Sequence, residues 1–236
     1  MNYLKIWTIV AAIGATYPFS TQNDPKVLYD FNFQSQDELP YFIPETEADQ
    51  IGQLTIAEST LDIDAVKGAS VWFREKLTAP IKIEYTVEAV DEGGPNDRVS
   101  DLNCFFMAID PRCPDDIFSC PDSVRTGSFS TYHALRTYYV GYGGNKNSTT
   151  RLRRYPGYTE ERPLLPEHDL AEPYLLKPNE KMRIEIKVEG YEVSYSVNGE
   201  LLFSLYDDLP YHEGWFAFRT VRNHMKIHDF KVSSLE

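Results

Sequence analysis

Alternation of apolar and polar residues with a period of two runs through this chain and restricts what it can fold into. Ile81, Ile83, Tyr85 and Val87 interleave with Lys82, Glu84, Thr86 and Glu88, which gives an extended strand one apolar face and one wet face. Ile184, Ile186 and Val188 repeat the pattern against Arg183, Glu185 and Lys187. Val193, Tyr195 and Val197 then lead into Asn198-Gly199, followed by Leu201, Phe203 and Leu205. Asn-Gly between two alternating runs predicts a two-residue hairpin, because a type I′ turn needs positive φ at both central residues. Glu189-Gly190 predicts the turn before it. Further strands are expected near 26–33, 60–66, 69–75, 102–109, 137–142, 149–155, 214–221 and 224–233. In the last of these the apolar phase slips between Met225/Ile227 and Phe230/Val232, which predicts a bulge at His228-Asp229. No amphipathic helix longer than two turns stands out. The expectation is an all-β fold, a two-sheet antiparallel sandwich of the jelly-roll type.

Composition supports one domain. The chain has 236 residues, 42% hydrophobic and 14% aromatic, enough apolar area for a sizeable core over residues 25–236. The first twenty residues read as a signal peptide: Lys5 supplies the positive start, and Ile6 to Ala15 is an apolar run too short to cross a bilayer. A secreted or periplasmic location follows as the expectation, with no transmembrane segment later in the chain. Such a compartment permits disulfides. Cys113 and Cys120 flank a short Pro/Asp loop that a bridge could close, while Cys104 sits in an apolar run as a buried thiol; three cysteines leave two other pairings open. Two stretches, 110–131 and 156–180, lack regular pattern and are too long for simple connections, so they are expected to border a site. His168 and His212 read as solvated loop histidines.

The net charge of −13 argues against nucleic acid as a partner, yet it hides a local reversal. Residues 133–155 hold Arg136, Lys146, Arg151, Arg153 and Arg154, and residues 214–227 hold Arg219, Arg222 and Lys226, with no carboxylate in either window. Such a reversal can mark a site for an anion. The same windows carry Tyr138, Tyr139, Tyr142, Asn145, Asn147 and Trp215. Aromatic faces stack on sugar rings, amides bond hydroxyls, and arginine pairs with a carboxylate or sulfate. On a strand Arg151, Arg153 and Tyr155 share one face, with Leu152 and Arg154 on the other. A polysaccharide or oligosaccharide is the expected partner.

Tyr139 to Asn145, Thr149 to Tyr155, the Asn198-Gly199 hairpin, and Gly214 to Val221 with Asn223-His224-Met225 resemble a poorly characterised group of exported bacterial proteins. The resemblance spans most of the chain after residue 25, and is most specific over 137–155 and 196–232. It implies a concanavalin-like jelly roll and a role in polysaccharide degradation, without an assigned catalytic set.

Three chemistries remain open. The residue types suit β-elimination on a uronate, which needs the sugar carboxylate neutralised, a proton removed and the leaving oxygen protonated. Arg151, Arg219 or Arg222, helped by Asn145 or Asn147, would hold the carboxylate, with Arg153 and Trp215 as further substrate contacts. Tyr138, Tyr142 or His224 would move the proton, with His133 in reserve. A glycoside hydrolase would need a carboxylate pair; the Glu-x-Asp-x-x-Glu strand of better-known jelly-roll glycosidases is absent, and Glu185/Glu189 do not replace it. Asp101, Asp110, Asp115 and Asp116 could supply a pair only through the fold. A non-catalytic carbohydrate-binding module would use the same aromatics and arginines without turnover. No cofactor is expected. Structural calcium is possible at Asp62/Asp64, Asp91/Glu92/Asp97 or Asp207/Asp208, which offer hard oxygen ligands.

Overall fold

Residues 25–47, 53–158 and 161–236 are described by the computed structural model; the expected signal peptide lies outside them. The alternating runs form β6 (Ile81–Ala89), β11 (Met182–Glu189), β12 (Glu192–Val197) and β13 (Glu200–Tyr206). These pair antiparallel in the order β6-β11-β12-β13. Asn198 and Gly199 have φ of 52° and 83°, so the β12–β13 hairpin turns as its sequence requires. Before β6 come β1 (Lys26–Phe31), β2 (Phe42–Thr46), β3 (Gln53–Ala57), β4 (Thr60–Phe73) and β5 (Leu77–Thr78). Between β6 and β11 lie β7 (Asn103–Ile109), β8 (Arg136–Gly143), β9 (Thr149–Pro156) and β10 (Asp169–Leu170), and β14 (Glu213–Ser234) ends the fold.

The molecule is an antiparallel β-sandwich with jelly-roll character, in which β14 serves both layers. Its first part, Ala217–Val221, pairs with the second half of β4 and, through Arg219, with β7. Its second part, Met225–Ser234, pairs with β6, with the first half of β4 and with β1. The front layer therefore runs β10-β9-β8-β7-β14-β4-β2, and the back layer carries β14-β6-β11-β12-β13. Two expected pairs of strands prove continuous: 60–66 with 69–75 as β4, and 214–221 with 224–233 as β14. Bulges bend them instead of breaks. One lies between Val221 and Asn223, where Arg222 takes φ 43°, and the other falls between Ile227 and Asp229, where the phase slip placed it.

Between the layers Phe42, Phe73, Phe216 and Phe218 from the front meet Tyr85 and Phe230 from the back, with ring centroids 5.1–5.9 Å apart where the two layers touch. A second apolar cluster lies on the outer side of the front layer. There Trp72, Phe105, Ala217 and Trp215 are covered by Ile117, Tyr132 and Leu135 from the 110–135 segment. Cys113 and Cys120 are disulfide-bonded within that segment, and Cys104 is a buried free thiol. The covering loop leaves part of the front layer open, and a cleft lies there.

Candidate functional site

A cleft of about 220 Å³ opens on the outer face of the front layer. Its floor is built by strand alternation. Leu152, Val140, Cys104 and Phe218 point into the core, so their neighbours Arg151, Arg153, Tyr139, Gly141, Asn103 and Arg219 point out and line the cleft, together with Tyr155. Phe129 from the covering loop and Arg162 from the segment after β9 form walls. Asp101 and the Gly144–Asn145 turn close one end. Both patternless stretches thus contribute to the border. Gly141 leaves room for the Tyr139 ring and hydroxyl to lean over it: a Cβ there would lie 3.2 Å from both, a tight contact.

The electrostatics are lopsided. Four arginines line the cleft against one carboxylate, Asp101, among the described lining residues. Asp101 already accepts from Arg98 Nη2 at 2.5 Å, Ser100 Oγ at 2.6 Å and Asn103 Nδ2 at 3.3 Å. Arg151 pairs with Asp169 at 2.6 Å. Arg153 donates to the Arg162 carbonyl; burial, with Arg151 and Arg162 nearby, lowers its pKa. Arg219 is almost wholly buried, and burial pushes its pKa down as well. It lies 5.6 Å from the Phe129 ring and 5.3 Å from that of Tyr132, and donates through Nη1 to the Gly127 carbonyl at 2.6 Å. Gly127, at φ 80°, is pressed against the Thr46–Glu47 backbone, where a Cβ would sit 2.0 Å from the Glu47 nitrogen, so only glycine fits there.

Two tyrosines share the floor, their rings 5.7 Å apart. Burial raises the Tyr155 pKa to about 12 against the opposing pull of Arg153, Arg162 and Arg219. Burial also pushes Tyr139 well above its ordinary value, helped by Tyr155 and Asp101. The Tyr155 hydroxyl has no partner among the described residues. His133 stands at the rim, its Nε2 3.2 Å from Arg162 Nη1 and its ring edge-on to Phe129 and Tyr155.

Of the residues singled out from sequence, Asn145, Arg151, Arg153 and Arg219 line the cleft and His133 borders it. The others lie elsewhere. Tyr138 and Tyr142 have the opposite parity to Tyr139 and turn into the core. Tyr138 donates to Asp207 at 2.6 Å and accepts from the Tyr211 amide, and burial raises the Tyr142 pKa to about 12. His224 lies beyond the Arg222 bulge, between Asp62 at 3.0 Å and Asp97 at 3.1 Å; the bond to Asp62, then that to Asp97, outweighs burial and raises its pKa. Asn147 ties the backbone of Leu176 with two bonds of 2.9 Å. Trp215 is buried beneath the covering loop and donates to the Arg74 carbonyl. Arg222 is exposed on its bulge. Asp110 is fully buried in ion pairs with Arg112 and Arg125, both at 2.7 Å. His168 is also buried, against Phe203 and the Ser204 carbonyl, rather than solvated. Among the proposed calcium ligands, Asp64 accepts from Asn96, and Asp207 takes Tyr138 and Arg154. No three His, Cys, Asp or Glu side chains converge as a metal site among the described residues.

Tyr139, Tyr155, Asn103, Arg162 and Phe129 complete the cleft without having been selected from sequence, and Asp101, named there as a candidate for a carboxylate pair, lines it as well. Tyr155 carried a signal, its shared parity with Arg151 and Arg153. Asn103 and Arg162 carried none.

Solved structures share this fold. A Bacillus subtilis protein of unknown function with a galectin-like fold is 20% identical, with 89% of this chain and 96% of that one covered and a TM-score of 0.69. LamA from Z. galactanivorans, solved as its E269S variant with laminaritriose and laminaritetraose, is 9% identical over 89% of this chain and 99% of that one, with a TM-score of 0.56. An endo-β-1,3-glucanase from Pyrococcus furiosus is 12% identical over 88% and 94%, with a TM-score of 0.52. No curated protein matches the sequence significantly. Among the described residues no helix is long and apolar enough to cross a membrane. A family model described as Domain of unknown function (DUF6250) matches residues 63–230, most of the chain, which therefore belongs to that family.

Proposed function

We propose that this protein takes an acidic polysaccharide in the outer cleft and cleaves it by β-elimination beside a uronate. The observation that carries the reading is the excess of arginine over carboxylate in the lining, four against one, in a chain whose net charge is −13. A cationic cleft held in an acidic molecule favours an anionic ligand. Elimination breaks the C5–H and C4–O bonds and forms a C4=C5 double bond. Arginine neutralises the carboxylate and stabilises the charge that builds on it, a base takes the C5 proton, and an acid protonates the departing oxygen. Tyr155 and Tyr139 stay protonated at neutral pH, as a proton donor requires. His133, at the rim, is the imidazole that would take the proton, its Nε2 lone pair becoming available when Arg162 turns from it to the substrate carboxylate.

The endo-β-1,3-glucanase and the laminari-oligosaccharide complex among the fold neighbours make hydrolysis the competing chemistry. Hydrolysis needs two carboxyls, about 5–5.5 Å apart for retention and about 6.5–9.5 Å for inversion. The described lining offers one, and that one is engaged by Arg98, Ser100 and Asn103.

The test incubates the protein with acidic and neutral polysaccharides while following ultraviolet absorbance of an unsaturated uronate and the appearance of reducing ends. Both signals rise together on an acidic polymer if the reading holds, and Tyr155→Phe lowers turnover about 10²-fold or more with binding retained. Reducing ends alone would replace elimination with hydrolysis. Binding with neither signal would make the protein a carbohydrate-binding module.

A further inference from the structure

The deepest part of the cleft holds polar atoms that the protein leaves unsatisfied. Arg219 is 1% exposed; Nη1 is engaged by Gly127, but Nε and Nη2 have no partner. Directly opposite in register on β7, Asn103 is 4% exposed and its Oδ1 has no partner. Buried polar groups are nearly always paired, and Asp101 and Glu47 act on Arg219 only through space, with no hydrogen bond to either, so two of its donors stay unspent. A cross-strand couple of this kind on a cleft floor points to a ligand.

Its chemistry can be read from the atoms. Nε–H and the Nη2–H beside it form the side-on edge of the guanidinium, two parallel donors spaced for the two oxygens of a carboxylate. The orientation of the Asn103 amide is set by Asp101, which can only accept and so draws the NH₂ group toward it. The Asn103 carbonyl is thereby presented to the cleft, where it needs a donor. Two donors beside one acceptor match a carboxylate with a hydroxyl next to it.

We infer that Arg219 and Asn103 form a subsite for a uronate unit with a free carboxylate and an unsubstituted neighbouring ring hydroxyl. Methyl esterification removes the charge that Arg219 reads. O-acetylation removes the proton that Asn103 accepts and leaves its buried carbonyl orphaned. The inference rests on the acidic-polysaccharide reading and narrows it, since charge alone would not distinguish these substituents from a sulfated neutral sugar.

The experiment is calorimetric titration with galacturonate, glucuronate and mannuronate trisaccharides, then with the methyl ester and O-acetyl derivative of the tightest binder, and with a sulfated neutral galactan oligosaccharide of equal length. Each substituent is expected to weaken binding by at least about tenfold, and the sulfated sugar to bind more weakly than the free uronate. Asn103→Ala should close the acetyl gap and keep the ester gap, while Arg219→Gln should close the ester gap. Ester or sulfated sugar binding as tightly as the free uronate would overturn the subsite and leave the anionic-ligand reading standing. If no acidic oligosaccharide binds, both fall. If Arg219→Gln does not fold, the wild-type comparisons and Asn103→Ala decide the matter.

Discussion

At the scale of single residues, two tyrosine hydroxyls in the same strand pair have opposite duties. That of Tyr138 lies between the layers, donating to Asp207 and accepting from the Tyr211 amide. That of Tyr155 faces the cleft with no partner among the described residues. Deleting the first leaves a buried carboxylate short of a donor, so Tyr138→Phe should cost about 1–3 kcal/mol. Deleting the second removes a desolvated group that forms no bond, and Tyr155→Phe should keep stability within about 0.5 kcal/mol of wild type. Chemical denaturation of both variants measures the contrast; equal losses would mean that the Tyr155 hydroxyl has a structural partner. The sequence selects Tyr138, which turns into the core, over Tyr139, which lines the cleft, for a related reason. Alternation assigns faces when one face is polar, and here two adjacent tyrosines are both buried, one by the core and one by the covering loop.

Among elements, the 110–135 segment makes the cleft a bounded site. It carries Gly127, which holds Arg219, and Phe129, which forms a wall. Its anchor is Arg125, bonded to Asp110 at 2.7 Å and to Glu45 at 2.8 Å, while Glu45 also accepts from Trp72 and Tyr132. Arg125→Met would leave Glu45 without its cation and Asp110 with Arg112 alone, at a cost of about 3 kcal/mol. Thermal denaturation should show the loss, and weaker ligand binding should accompany it as Gly127 shifts. A stability unchanged within error would mean that the apolar cover alone holds the loop. None of this network was legible in sequence, because Glu45, Asp110 and Arg125 are far apart in the chain and lie in segments without period. The strands were legible wherever a face meets solvent. At β4 and β14 the chain reads as four strands, because bulges at the crossings reset the phase that alternation measures.

For the whole molecule, charge distribution sets how a ligand arrives. An acidic oligosaccharide meets the repulsion of a −13 chain at long range and the arginines only at contact. The screening length shrinks from about 30 Å to about 10 Å between 0.01 and 0.1 M salt, which removes the distant repulsion first. The association rate of an acidic oligosaccharide, followed by stopped-flow tryptophan fluorescence, should therefore hold steady or rise across that range. A steep fall would mean that the cleft's own field steers the approach.

β14 carries Arg219 on the front layer and Phe230 in the back layer on one unbroken stretch of backbone. The two leaves of the sandwich share a spine, so the fold has no seam along which one leaf could swing against the other. The proposed polysaccharide would then be pressed into a fixed die more than gripped by closing jaws, with adjustment confined to side chains and to the loops along the rim.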